Sequence, residues 1–462
     1  MEGLFTLSDN NKKFYKLLIS LCIPIIIQQL ISTSVNIIDT VMISSLGETS
    51  VASIGVANQY FFLFNMALSG IVGGSGVFIS QFYGKNDRIN IKKTTSFTTL
   101  LSVGLSAIFV LLATLFPTNI INIFSKDPEV IKLCREYFSI IVFCYPLIAI
   151  STVFSMGLAL LSSAVFRSEG NIKISMITVL IGSLFNIALD LLFIFVLNWG
   201  IKGAALATVI ARIVEFILII SYVYFIKKDY ILKFNLKDFK LIDKDFINTF
   251  ISKTLPVFIN DTTWAIGTIL YSVAYSQAGT SAIAASQIAT STGNFFIITS
   301  VCIGIGASIM LGNELGADRI DTAIIYAKKF SKLVVIVGLI CGGLLILNIP
   351  ILLKMFSVSS DLAPDITKIF FIMGIMLALR AFNTLIVIGI LRSGGDTKYS
   401  LYLELGCMWF ASIPLTFVAA FKGAPIYILV LLSYSEEIVK FIFGVPRALS
   451  KKWANNIVKE MN

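Results

Sequence analysis

Four polar side chains in otherwise apolar sequence mark the N-terminal half: Asp39, Asn186, Asp190 and Thr208. Asp39 is the single charge in the 31 residues from Leu17 to Gly47, and Thr33, Ser34, Asn36 and Thr40 surround it. In a bilayer a carboxylate costs about 2.5–3.5 kcal/mol on insertion scales, so it turns toward a partner, a cavity or an ion. Asn186 and Asp190 stand at i and i+4, which puts them on one helix face. At about 1.5 Å of rise per residue, all four groups lie roughly 7–20 Å below the outer ends of their segments. Two carboxylates with amide and hydroxyl oxygens form an all-oxygen set suited to a hard cation such as Na+. The same acids are suited to sharing a proton, because two close carboxyls do not both ionise easily. These four residues are the candidate cation site, and the metal ligands if the ion is Na+. The competing reading is that each acid separately satisfies a helix-packing hydrogen bond.

The C-terminal half carries a different set. Asn260-Asp261, Arg380 and Glu404 fall inside apolar runs, and with Asn36 they are the candidates for substrate contact. Charges of both signs at neighbouring depths form a salt bridge, or else line a cavity for a cationic substrate or protons. Arg212 with Glu215, and Glu436 and Glu437 with Lys440, read as structural ion pairs. No histidine is present, which excludes Ser/His/Asp and Cys/His catalysis and His-based zinc sites. The six cysteines form no Cys-x-x-Cys pair and read as small apolar residues. Gly70, Gly73, Gly74 and Gly76 lack the Lys-Ser/Thr of a phosphate loop and suit close helix approach. The chain is therefore expected not to be an enzyme and to need no cofactor beyond a coupling ion, Na+ or H+.

The elements that position these groups follow from composition. Of 462 residues, 57% are hydrophobic and 13% charged, about half the charged fraction of a soluble protein. Twelve apolar runs are long enough to span: 15–46, 51–80, 94–116, 133–164, 172–197, 203–226, 254–278, 282–312, 330–353, 366–391, 399–420 and 424–446. With both termini cytoplasmic, 27 of the 36 Lys and Arg fall on the inner side, seven on the outer side and two within the membrane. The positive-inside rule fixes that orientation in a cytoplasmic membrane. The net charge of +10 thus reflects topology, with membrane lipid as a partner and nucleic acid not. No cleavable signal peptide is evident after Lys12, Lys13 and Lys16.

The chain also matches itself. At an offset of 232, Pro24, Gly47, Ala52, Gly74 and Gly84 align with Pro256, Gly279, Ala284, Gly306 and Gly316. Arg167-Ser168-x-Gly170 repeats as Arg392-Ser393-x-Gly395, and Lys202-Gly203-Ala204 as Lys422-Gly423-Ala424. A duplicated six-helix unit enters the membrane twice from the same side, so the halves are parallel repeats. The expected organisation is an N-terminal lobe 1–226, a cytoplasmic linker 227–253, a C-terminal lobe 254–450 and a cytoplasmic tail 451–462. The site is not duplicated: Asp39 aligns with Tyr271 and Asp190 falls near Leu415.

These residues resemble the multidrug and toxin extrusion (MATE) family of secondary transporters over about residues 10–450. The likeness rests on Pro24…Asp39, Gly47-x-x-Ser50-Val51-Ala52, Gln81-x-x-Gly84, Arg167-Ser168-x-Gly170, Asn186-x-x-x-Asp190, Gly203-Ala204-Ala205-x-Ala207-Thr208, Pro256-x-x-x-Asn260-Asp261-x-x-Trp264 and Arg392-Ser393-Gly394-Gly395-Asp396-Thr397. It implies an all-α polytopic membrane protein, twelve transmembrane helices in two pseudo-symmetric six-helix lobes around a central cleft. It also implies a monomeric antiporter that exports bulky, cationic amphiphilic small molecules against Na+ or H+ by alternating access. Family members place a cation site on the residues matching Asp39, Asn186, Asp190 and Thr208. Two departures stand out: the helix 7 acid, commonly Glu, is Asp261, and Arg380 and Asn383 occupy the neighbourhood of a helix 10 acid used in one bacterial branch. A flippase for lipid-linked oligosaccharide or lipid precursors, of related architecture, is the alternative function.

Overall fold

A computed structural model of the chain describes residues 2–161, 172–226, 231–356, 358, 360, 362–459 and 461. Among them there is no strand. The membrane helices are α1 (Glu2–Ser44), α2 (Glu48–Lys85), α3 (Arg88–Leu115), α4 (Pro128–Leu160), α5 (Ile172–Val196) and α6 (Gly200–Ile226). They continue as α7 (Lys244–Ser276), α8 (Thr280–Gly316), α9 (Ile320–Leu347), α10 (Ala363–Leu391), α11 (Thr397–Phe421) and α12, which runs Ile426–Ser433 and, past a break at Tyr434, Ser435–Leu449. Ten of the twelve are long and apolar enough to cross a membrane by length and composition; α7 and α12 are the two that are not. The break at Tyr434 is why for α12, which leaves pieces of 8 and 15 residues, while α7 is diluted by Asn260, Asp261, Thr262 and Thr263 in mid-helix. The Arg167-Ser168-x-Gly170 copy of the repeat lies outside the described residues.

The chain divides into two compact units, residues 1–79 with 87–248, and 80–86 with 249–462. The duplication is written into the backbone of each. Gly47, between α1 and α2, has φ +97°, and Gly279, between α7 and α8, has φ +98°. This left-handed conformation is open to glycine without steric penalty. One turn further on, Asn86 and Asp318 adopt φ 61° and 60° at the same offset of 232. A short helix follows the third helix of each unit, Pro117–Phe124 in one and Ile349–Met355 in the other.

Each unit has its own core. In the first, the Phe64 and Tyr145 rings stack at 4.5 Å and Tyr60 donates to the Phe109 carbonyl at 2.7 Å. In the second, α9 and α10 meet along a seam of small residues. A Cβ on Gly342 would collide with the Gly374 carbonyl, and one on Gly338 with the Ala378 backbone. On α2, Gly76 faces the Met156 and Leu160 side chains at ordinary contact distance, so its lack of a Cβ brings no backbone closer. Large apolar side chains such as Phe225 at 78% and Phe410 at 85% exposure point outward, as suits surface that meets lipid tails rather than water.

The connection between the units is partly built into the first. A 3₁₀ turn at Leu236–Leu241 precedes α7, which begins at Lys244, well before the expected 254. Leu232 fills the space beside Gly157, and Lys93 of α3 donates to Asp243. At the far end of the chain, Trp453 is buried and its indole donates to the Ala448 carbonyl at 2.9 Å. Gln81, at the inner end of α2, donates to the Ser393 and Asn455 carbonyls at 2.8 and 3.0 Å and accepts the Ile457 amide at 2.8 Å. Lys85 reaches the Val458 carbonyl at 3.0 Å.

Candidate functional site

In the first unit, α1, α5 and α6 bring three of the four expected groups to one place, and α4 adds another. The Asp39 and Asp190 side chains come together. One oxygen of each, Oδ1, is shielded from solvent and has no hydrogen-bond partner. Asn186, one turn before Asp190 and 6% exposed, keeps its amide nitrogen unpartnered. Rotating that amide by half a turn would present its oxygen instead. Thr208 binds its own helix through the Ala204 carbonyl at 3.1 Å and also meets the Tyr137 hydroxyl. Asn36, the substrate candidate on the same helix as Asp39, is exposed.

Local sequence explains why the site forms here. Immediately after Asp190 the chain widens into a π-helical turn at Leu191–Val196. Such turns shift hydrogen-bond register and recur at functional positions. Beneath the acids, Arg212 and Glu215 of α6 pair at 2.7 Å, the expected i, i+3 bridge. Glu215 fits because Gly182 of α5 has no Cβ to obstruct it. Arg212 is near enough to act electrostatically on Asp39, which ties the pair to the site rather than leaving it a remote brace.

Two carboxyl groups this close do not both ionise easily and can share one proton. With that proton removed, the facing oxygens of Asp39 and Asp190 and the nearby hydroxyls of Thr208 and Tyr137 provide the hard donors that Na+ takes. The residues present therefore fit either ion, one at a time. Sequence reasoning missed Tyr137. It lies beside Arg135 and Glu136 near the start of α4, where a tyrosine reads as an interfacial anchor.

The second unit distributes its charges otherwise than expected. Arg380 is not the partner of Asp261 or Glu404. Asp261 pairs with Arg392 at 2.5 Å, Glu404 pairs with Lys440 at 3.2 Å, and Arg380 approaches Glu437 at 4.0 Å. Asn260 donates to Glu404 at 2.8 Å. Asp261 and Glu404 are thus held by bases from α10 and α12. Arg392 and Lys440 are each under a tenth exposed inside the unit, and Lys440 keeps its expected partner Glu436 at 3.6 Å. The signal for Arg392 was its place in the repeated Arg-Ser-x-Gly motif. Tyr271, aligned with Asp39, donates to Ser412 at 2.7 Å and stands 3.2 Å from Glu436.

Known proteins resemble the chain over most of its length. The chain is 24% identical to the uncharacterised transporter YisQ of Bacillus subtilis over 87% of this chain and 86% of that one. It is 22% identical to the probable multidrug resistance protein YoeA of the same organism, over 90% and 89%. Among solved structures, a MOP superfamily transporter from Pyrococcus furiosus, described by the reversed polarity of its binding pocket, superposes with a TM-score of 0.84 at 19% identity, covering 95% and 97%. These relatives are transporters, not enzymes. The MatE family model matches residues 24–192 and 256–418, most of both halves of the duplication, and the chain belongs to that family of multi-pass membrane transporters.

Proposed function

We propose that this transporter exports bulky cationic small molecules across the cytoplasmic membrane in exchange for an inward-moving cation, Na+ or H+. The observation that carries the reading is the meeting of Asp39 and Asp190 with one buried oxygen of each left unpartnered. Asp39, Asn186, Asp190 and Thr208 hold the ion, with Tyr137 at its edge. Relatives named as multidrug resistance proteins support the substrate class. The excess of Lys and Arg on the inner segments supports cytoplasmic termini.

The coupling works through differential affinity. An ion shifts a conformational equilibrium only if it binds one state better than the other. Asp39 is on α1, and Pro24 of that helix cannot donate the bond that would hold it to the residue four before, so α1 has a natural place to flex. Filling the site joins α1 to α5 and α6; emptying it leaves two carboxylates in repulsion and loosens α1.

The test is efflux from proteoliposomes under an imposed Na+ gradient and, separately, an imposed pH gradient. One gradient drives uptake or efflux of a cationic dye, and Asp39→Asn abolishes it at normal expression. Undiminished transport by Asp39→Asn refutes the site. Transport of lipid-linked precursors with no dye movement in either gradient supports the flippase function instead.

A further inference from the structure

One buried cluster of the second unit holds more acid than base. Around α12, four carboxylates (Asp261, Glu404, Glu436 and Glu437) face three bases: Arg380, Arg392 and Lys440. Asp261 has Arg392 to itself at 2.5 Å, and Glu437 has Arg380 at 4.0 Å and the Asn383 amide at 2.8 Å. Glu404 and Glu436 share one ammonium: Lys440 is 3.2 Å from the first and 3.6 Å from the second. Lys440 is 4% and Glu436 8% exposed, so water does not screen the surplus negative charge.

A count of hydrogens points to the same acid. Three polar contacts run in series from Glu436 to the backbone. Glu436 Oε2 is 3.2 Å from Tyr271 Oη, Tyr271 Oη is 2.7 Å from Ser412 Oγ, and Ser412 Oγ is 2.8 Å from the Ser433 carbonyl. The carbonyl accepts only, so Ser412 donates to it. Ser412 then accepts from Tyr271, whose single hydrogen is used. The remaining contact needs a hydrogen, and only Glu436 is placed to supply it. Nearby, Asn260 and Asn383, 1% and 3% exposed, each donate to a carboxylate of this cluster and keep Oδ1 unpartnered. The cluster has spare acceptors and a shortage of hydrogen.

We propose that Glu436 is a proton-binding site, separate from the ion site of the first unit. The carboxylate takes one proton from water and, as the acid, donates from Oε2 to Tyr271, which releases Lys440 to Glu404. The groups facing Glu436 come from every helix packed against it: Tyr271 and Tyr275 from α7, Arg380 from α10, Glu404 and Cys407 from α11, and Tyr434, Glu437 and Lys440 from α12. Tyr271 occupies the repeat position of Asp39, so the second copy has moved its acid from the first helix of the unit to the last.

Infrared difference spectra of the full-length purified protein in sodium-free buffer, between alkaline and acidic pH, read carboxylic-acid C=O bands directly. Measured in the Asp39→Asn/Asp190→Asn background, which silences the first unit's acids, one buried carboxylic-acid band remains, and Glu436→Gln removes it. Tyr271→Phe, which leaves the charges in place, shifts the band to higher frequency by removing its hydrogen-bond acceptor. An unaltered band in a folded Glu436→Gln protein overturns the assignment. So does a spectrum indifferent to Tyr271→Phe, which keeps the idea falsifiable should Glu436→Gln not fold. Because no transport is measured, failure of the first unit's coupling site would leave this result unaffected.

Discussion

Tyr137 shows how much one hydroxyl settles at the scale of a side chain. Its ring is buried at 7% exposure, and its oxygen meets Thr208 beside two acids. One oxygen contact to a bound ion, taken at the scale of a hydrogen bond, would contribute roughly 0.5–1.5 kcal/mol net. Tyr137→Phe keeps the ring and removes the oxygen, so the half-saturating concentration of the coupling ion should rise about two- to twelvefold, while folding and expression hold. An unchanged ion dependence in the dye-transport assay would reduce Tyr137 to filler. Sequence reading reached Asp39, Asn186, Asp190 and Thr208 because a polar group in an apolar run is visible against its background. Tyr137 had no such contrast, being an amphipathic residue near the end of a helix. The same limit hid the pairing in the second unit. Arg380, Asp261 and Glu404 were legible as buried charges, but which base meets which acid depends on helix rotation. Arg392 looked like a boundary residue until packing turned it inward, and Lys440, expected to pair with Glu436 and Glu437, also meets Glu404.

Whole helices show where local geometry outweighs pattern. The repeat was legible to the residue: Gly47 and Gly279 share one backbone conformation, as do Asn86 and Asp318. Apolar runs located the helices, yet they concealed the widened turns. Of the four π-helical stretches among the described residues, Leu191–Val196 follows Asp190, Leu385–Leu391 follows Asn383 and Thr384, and Met408–Ser412 contains the serine that Tyr271 meets. Hydropathy does not register one extra residue in a turn. The α9–α10 seam was equally silent, since glycines in apolar helices are common. It offers a paired test. Gly342→Leu forces apart two backbones that now touch, at a cost of about 1–3 kcal/mol, of which better helix propensity returns at most about 1 kcal/mol. Gly343, the next residue, has open space where a Cβ would go, so Gly343→Leu should be neutral or stabilising. Melting temperatures in detergent compare them; equal shifts would mean the seam is not tight.

At the scale of the whole molecule, the connection between the two units is held by charge outside the membrane. Lys93 donates to Asp243 and lies 4.5 Å from the Phe246 ring, while Asp243 also accepts the Phe246 amide at 2.7 Å. First the Lys93 hydrogen bond and then that amide hold the Asp243 carboxyl below its ordinary value. A carboxylate whose folded value is depressed contributes stability above its unfolded value, about 3.9, and that contribution is lost as pH falls through the lower folded value. Hydrogen exchange over residues 231–243, corrected for intrinsic rates, should therefore stay constant from pH 8 to about pH 5 and rise below about pH 4. Asp243→Asn should exchange fast throughout; equal protection of variant and parent would show that the turn is held by Leu232 and Gly157 alone.

Gln81 has a further consequence, in time rather than space. The Asn455 carbonyl it donates to lies 374 residues later in the chain. At roughly 5–20 residues per second of synthesis, that is a wait of about 20–75 s. Throughout that interval the inner end of α2 lacks the Asn455 and Val458 carbonyls that Gln81 and Lys85 bond to. The first unit can assemble while the second is still being made. The segment 80–86 cannot: its closure onto residues 453–458 waits until those residues have been made.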